Sequence, residues 1–207
     1  MQVIRYPERN RWEELCKRPS IDKPELHETV SGILRQVKEN GDRALYDLAE
    51  KFEGKRPDDL RVPEDEIRAS AALVPDELKE AIRTAQENIT RFHAAQLHEE
   101  PVIETSPGVR CWRKNTPIDR VGLYIPGGTA PLFSTVLMLA VPARIAGCRE
   151  IIICTPPDKK GSINPLILHA ALSAGVTRIF RAGGAQAIAA MAYGTESIPK
   201  VDKIFGP

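Results

Sequence analysis

The chain has no CxxC pair, no long apolar run and no excess of either charge, and each absence removes a class of function. Its four cysteines, Cys16, Cys111, Cys148 and Cys154, are scattered. With no export signal, they are expected to be reduced thiols and small buried hydrophobes, not a disulfide or metal framework. No stretch approaches the roughly 20 apolar residues that span a bilayer. The N-terminus, Met1-Gln2-Val3-Ile4-Arg5, lacks a basic start followed by an apolar core, so no signal peptide is read there. Lys and Arg number 29 against 28 Asp and Glu, which leaves no electrostatic footprint for nucleic acid or anionic lipid. A soluble cytoplasmic protein is expected, with no nucleic-acid and no membrane partner. Its 207 residues suffice for one or two domains with a real core.

The common catalytic fingerprints are missing too. No GxGxxG follows a strand and no GxxxxGK[ST] occurs, which excludes the standard dinucleotide and P-loop signatures. His27-Glu28 has no second histidine at zinc-protease spacing. His98-Glu99-Glu100 fits half of a zinc-deaminase signature, but no PCxxC follows, so it reads as a solvated helix end. The four histidines (His27, His93, His98, His169) fall in predicted helices of different segments, His93 and His98 sharing one. Only His93 and His98 are near each other, and five residues apart they leave one helix face.

What remains is organised in two parts. Residues 1–118 carry 20 of the basic and 23 of the acidic residues, leaving 9 and 5 for 119–207. The first part therefore reads as amphipathic helices, with an N-terminal arm at 1–20 and a helix-rich segment at 21–118. Apolar spacing predicts helices over Glu25–Asn40, ended by Gly41, and over Ala44–Phe52, ended by Gly54. Pro75-Asp76-Glu77 opens a third, which ends near Pro101. Pro107-Gly108 marks a hairpin within 102–116. From 119 to 207, strands at Arg120–Ile125, Glu150–Cys154, Thr177–Arg181 and Asp202–Phe205 alternate with helices at Phe133–Ala146, Asn164–Ala174 and Ala185–Tyr193. That alternation predicts an α/β fold with a parallel, Rossmann-like sheet, its strand-to-helix turns gathered at one edge.

Two of those turns carry paired glycines, Pro126-Gly127-Gly128 and Ala182-Gly183-Gly184. Glycine lets backbone N–H groups approach a phosphate at a helix N-terminus. Left-handed turns also demand glycine whether or not anything binds. Tyr124 and Gln186, an oriented phenol and amide at the ligand edge, favour a binding pocket.

At this point the residues themselves become specific. Val121-Gly-Leu-Tyr-Ile-Pro-Gly-Gly128, Ala130-Pro-Leu-Phe-Ser-Thr-Val-Leu-Met-Leu-Ala140 and Val141-Pro-Ala-Arg-Ile-Ala-Gly-Cys148 resemble histidinol dehydrogenases. So do Gly183-Gly-Ala-Gln-Ala-Ile-Ala-Ala190 and Tyr193-Gly-Thr-Glu-Ser-Ile-Pro-Lys-Val-Asp-Lys-Ile-Phe-Gly-Pro207, and the match runs from about Ile118 to Pro207. The resemblance implies NAD-dependent, zinc-assisted oxidation of L-histidinol to L-histidine through histidinal, in histidine biosynthesis. It also implies a homodimer and an incomplete Rossmann-like sheet, in keeping with the missing GxGxxG. By motif, Tyr124 and Gln186 match the family's NAD-contacting tyrosine and glutamine. Pro126 and Pro207 match flanking cofactor contacts, and Ser134 a substrate-pocket residue. The family's Glu-His acid/base pair and its zinc ligands lie downstream of Pro207. No catalytic and no metal residue is therefore carried onto this chain.

The expectation is then an N-terminal half, truncated at its C-terminal end, that binds part of NAD and is inactive alone. The last strand lacks a covering helix, which predicts self-association. The alternatives are a non-catalytic nucleotide-binding or assembly module, and an unrelated α/β transferase using the glycine turns for an anion.

Overall fold

The computed structural model describes residues 3–18, 24–98, 100–128 and 130–207. Met1, Gln2, residues 19–23 (19 and 20 being the end of the expected arm), Glu99 and Thr129 lie outside them. A 3-10 turn, Arg9–Arg11, runs into α1 (Trp12–Cys16), both exposed. The helix α2 (Pro24–Glu53) follows. The predicted break at Asn40-Gly41 is a single kinked residue, Gly41, at φ 52 and ψ −133. The helix restarts because its orphan groups are met by a turn far along the chain. Asp42 N–H donates to the Glu196 carboxylate at 2.8 Å, and the Asp42 carboxylate accepts from Ser197 N at 3.2 Å and Ser197 Oγ at 2.5 Å. Each side caps the other.

Next come α3 (Glu64–Leu73) and α4 (Asp76–Ala94). Pro75 precedes α4, acids open it, and Arg91 with His93 close it, as its dipole favours. It stops at Ala94 and not near Pro101. Leu97 beyond it is exposed, and His98 lies outside any helix. The hairpin β1 (Ile103–Ser106) with β2 (Val109–Cys111) turns at Gly108, φ 82, and is exposed throughout. The cysteine expectation is corrected here: Cys154 is buried, but Cys148 is half-buried and Cys16 and Cys111 are exposed. Cys16 and Cys111 fail to bury because α1 and β2 have every residue exposed.

The rest is βα units: β3 (Arg120–Tyr124), α5 (Phe133–Ile145), β4 (Glu150–Thr155), α6 (Pro165–Ser173), β5 (Arg178–Arg181), α7 (Gly184–Tyr193) and β6 (Lys203–Phe205). The four strands are parallel in the order β5-β4-β3-β6. Strand side chains alternate between two cores. Val121, Leu123 and Ile153 pack with α5, α6 and residues of α3 and α4, whereas Ile152 and Cys154 face α2 and α7. The outer edge of β5 is sealed by an antiparallel segment, Leu60–Val62. Val62 N donates to Ile179 O at 2.9 Å and Arg181 N to Leu60 O at 2.7 Å. The chain steps outward from β3 to β5 and then returns to β6 on β3's other side, so the strand order reverses between β3 and β6. Crevices at such reversals are where open α/β sheets take ligands. Among the described residues, no helix is long and apolar enough to cross a membrane.

Candidate nucleotide site at the sheet edge

The C-terminal ends of all four strands converge. Pro156, after β4, touches two glycine turns at once. A Cβ on Gly127 would lie 2.6 Å from Pro156 Cγ, and one on Gly183 would lie 2.6 Å from Pro156 Cβ. Only glycine fits there, and the reason is packing against proline, with no ligand needed. Gly206, after β6, backs onto Tyr124: its Cβ would stand 2.9 Å from Tyr124 O. Gly184 has φ +58, a left-handed conformation that favours glycine.

Tyr124 is half-buried at the end of β3, and its hydroxyl accepts from Gly184 N at 3.0 Å. Gln186, 4% exposed, sits in the first turn of α7. The sequence reading left these N–H groups open to a phosphate. In the structure Gly184 N is already occupied by the Tyr124 phenol. Beside it stands the carboxylate of Glu53, the last residue of α2. Glu53 Oε1 is 3.1 Å from where a Cβ on Gly183 would be, and Glu53 Oε2 is buried with no partner. Burial pushes the Glu53 carboxyl up to about 7, against the Gly183 amide that pulls it down. Sequence reasoning passed over Glu53. Its one signal was an acid in the last turn of a helix, where the dipole disfavours it.

Pro126 is half-buried, Pro207 exposed, and Ser134 exposed in the first turn of α5. A cavity of about 610 Å³ opens on the α6 side of Pro156. Pro126, Gly127, Pro156 and Thr155 line it, while Tyr124, Gln186, Pro207 and Ser134 do not. Thr155 Oγ1 there is buried and unpartnered. Asp158, on the rim, is held below the usual carboxylate range chiefly by the Ser162 amide, 2.9 Å away, so it stays ionised and structurally committed. Behind the rim, buried Arg181 donates to Asp59 O and Arg61 O, both at 3.2 Å, and to Glu66 at 2.5 Å. Among the described residues, no group of three or more His, Cys, Asp or Glu side chains could hold a metal. The described residues therefore offer no fit for a zinc ion.

The edge thus sets Tyr124, Gln186 and the glycine turns beside a cavity of about 610 Å³. Comparison with known proteins identifies the family. The histidinol dehydrogenase family model matches residues 16–207. A histidinol dehydrogenase of Bacteroides thetaiotaomicron is 56% identical over 207 residues, covering 100% of this chain and 48% of that protein. One of Salmonella typhimurium is 52% identical over 202 residues, covering 97% and 45%. The crystal structure of histidinol dehydrogenase from Elizabethkingia anophelis superposes with a TM-score of 0.92 at 50% identity, over 97% of this chain and 46% of that one. The chain spans about half the length of the curated relatives it matches. With a family model covering most of its residues and relatives more than half identical over its whole length, the chain belongs to the histidinol dehydrogenase family.

Proposed function

We propose that this chain forms one wall of the NAD site of an enzyme that oxidises L-histidinol to L-histidine. The observation that carries the reading is the meeting of Tyr124 and Gln186 at the first turn of α7, beside the strand-order reversal. Bound NAD⁺ supplies the hydride acceptor. The residues here bind and orient: the Tyr124 proton, unused in its bond to Gly184, is available to donate, and the Gln186 amide can donate and accept. Pro126 and Pro207 flank the nucleotide, and Ser134 faces the substrate side. Residues 21–118 act as a helical cover and 119–207 as the nucleotide-binding unit. No zinc-dependent step is assigned to these residues. Removing a hydride from an alcohol also needs a base for the hydroxyl proton, and no residue of this chain is assigned that role. Cytoplasmic location and a homodimer or larger assembly complete the reading. The exposed hairpin β1–β2 supports assembly, since two strands alone are marginally stable in water.

One purified preparation of the 207-residue chain tests this. Calorimetry with NAD⁺ is expected to give saturable heat that Gln186→Ala removes, and light scattering a mass above the 22.9 kDa monomer. Adding histidinol and zinc is expected to produce no NADH. Saturable NAD⁺ binding that Gln186→Ala leaves unchanged rejects the site. Absence of any binding favours the second reading, an assembly module, which the surface exposure of the hairpin supports.

A further inference from the structure

The cavity of about 610 Å³ lies on the α6 side of the sheet edge, and neither Tyr124 nor Gln186 lines it. Its volume falls within the roughly 300–1,000 Å³ of small-molecule pockets. Two features give it a chemistry. The first is flat, rigid walls. Pro126 and Pro131 after β3, Pro156 and Pro157 after β4, and Pro165 at the start of α6 all line it. The second is a small set of polar groups with bonding capacity left over. Thr155 lies on the same face of β4 as Ile153, the face that meets α5 and α6. It is 1% exposed, and its Oγ1 has no hydrogen-bond partner. Asp158 commits one oxygen to the fold. Its Oδ1 accepts from Lys160 N at 2.8 Å and Ser162 N at 2.9 Å, while Oδ2 takes no hydrogen bond among the described residues. Asn164 accepts from Leu166 N at 2.9 Å through Oδ1, which leaves its Nδ2 to donate. We propose that this cavity binds a flat heterocyclic base with an amino donor beside a ring-nitrogen acceptor, as in adenine, and that Asp158 reads the amino group.

The charges and amides around the cavity disfavour an anion. Of its charged lining residues, Glu66 is paired with Arg181 and Asp158 is an ionised carboxylate. Lys160 is exposed, and its backbone carbonyl accepts from Lys55 Nζ. The start of α6 has no free amide to offer a phosphate. Pro165 has no N–H, Leu166 N is taken by Asn164 Oδ1, and Ile167 N by Asn164 O at 2.9 Å. A simple ammonium would pair with Asp158 and leave the proline faces, Thr155 and Asn164 unused. An amino-substituted ring uses all of them. A carboxylate accepts from an exocyclic amino group and repels an oxo group. The threonine hydroxyl and the asparagine amide supply donors for ring nitrogens. The base can arrive in a free nucleoside or as the adenine end of the dinucleotide, since the turn that carries Pro126 and Gly127 follows Tyr124 directly. The inference goes beyond the reading of Tyr124 and Gln186 and does not depend on it.

Calorimetry on the whole 207-residue chain with adenosine, inosine and NAD⁺ tests this. Adenosine, which has no phosphate, is expected to give saturable heat. Inosine, which has an oxo group in place of the amino group, is expected to bind roughly tenfold more weakly. Asp158→Asn keeps an oxygen for Lys160 N and Ser162 N and replaces the other with an N–H donor. It is expected to reverse the preference in favour of inosine, which mere loosening of the turn cannot do. Thr155→Val is expected to weaken adenosine severalfold at an unchanged or higher Tm, because the hydroxyl it removes bonds nothing in the protein. No saturable heat with adenosine, or equal binding of adenosine and inosine, overturns the proposal without any variant. So does an unchanged preference for adenosine in folded Asp158→Asn. If saturating adenosine abolishes the NAD⁺ heat, the base in the cavity is the dinucleotide's own; if that heat survives, it is a separate nucleoside. The two readings fail separately. Adenosine binding without NAD⁺ binding removes the Tyr124–Gln186 site and keeps this one. Gln186-dependent NAD⁺ binding without adenosine binding does the reverse.

Discussion

Replacing Gly122 with valine is expected to lower stability by about 3 kcal/mol or more, the upper range for overpacking a filled core. Gly122 sits in the middle of β3, paired with Ile152 on one side and Ile204 on the other, so the backbone cannot move aside. A Cβ there would stand 2.5 Å from Met191 Sδ and 3.1 Å from Val201 Cγ2. Met191 is fully buried, so it cannot swing out to solvent without repacking α7 against the sheet. The helix α7 would be lifted off the sheet, taking Gln186 with it. Urea unfolding reads the loss as a lower midpoint, and heating as about 2–4 °C per kcal/mol for a chain of this size. A double-mutant cycle identifies the cause. Gly122→Val with Met191→Ala should cost less than the sum of the two single changes, because the added methyls occupy the space the sulfur leaves. Strict additivity would show that the methionine contact is not the origin.

Arg181→Ala is expected to cost about 2–4 kcal/mol, a sum of charge-assisted hydrogen bonds and an ion pair in a mostly buried site. The side chain ends β5 and ties down what covers it. Its guanidinium holds the carbonyls of Asp59 and Arg61 on either side of the edge-sealing segment, and Glu66 at the start of α3. Removing it takes the guanidinium from both carbonyls and loosens the Leu60–Val62 seal. Hydrogen exchange at Val62 N and Arg181 N, the two edge bonds, should speed up before the rest of the sheet. Uniform acceleration across β3 and β4 would mean instead that the whole fold was lost. Glu66 is partly exposed and can be hydrated, so Glu66→Ala should cost less than Arg181→Ala.

The sheet was largely legible in the sequence, and the reason is local. Ile151-Ile152-Ile153 and Val121-Gly122-Leu123 are continuous apolar runs, and Gly147, Gly175 and Gly194 punctuate the helices. Predicted ends for β3 to β6 and α5 to α7 accordingly fall within about a residue of the observed ones. What escaped was set by distant partners. Gly41 is a strong local stop, yet α2 continues because Glu196 and Ser197 meet Asp42 from the far end of the chain. The helix α3 buries only Ile67 and Ser70, too thin a stripe to read. The sealing segment Leu60–Val62 contributes a single bridge and has no strand pattern. At the site, Tyr124 and Gln186 could be singled out as polar groups at a strand end and a helix start. Their geometry could not, since the phenol's partner is a backbone amide sixty residues away. Glu53 looked like any solvated helix acid.

The double contact of Pro156 with Gly127 and Gly183 has a mechanical meaning. A pyrrolidine ring is rigid and offers no hydrogen bond to break, so it works as a spacer block between the two turns. The spacing between the turns is set there by ring packing, with no hydrogen bond as the hinge.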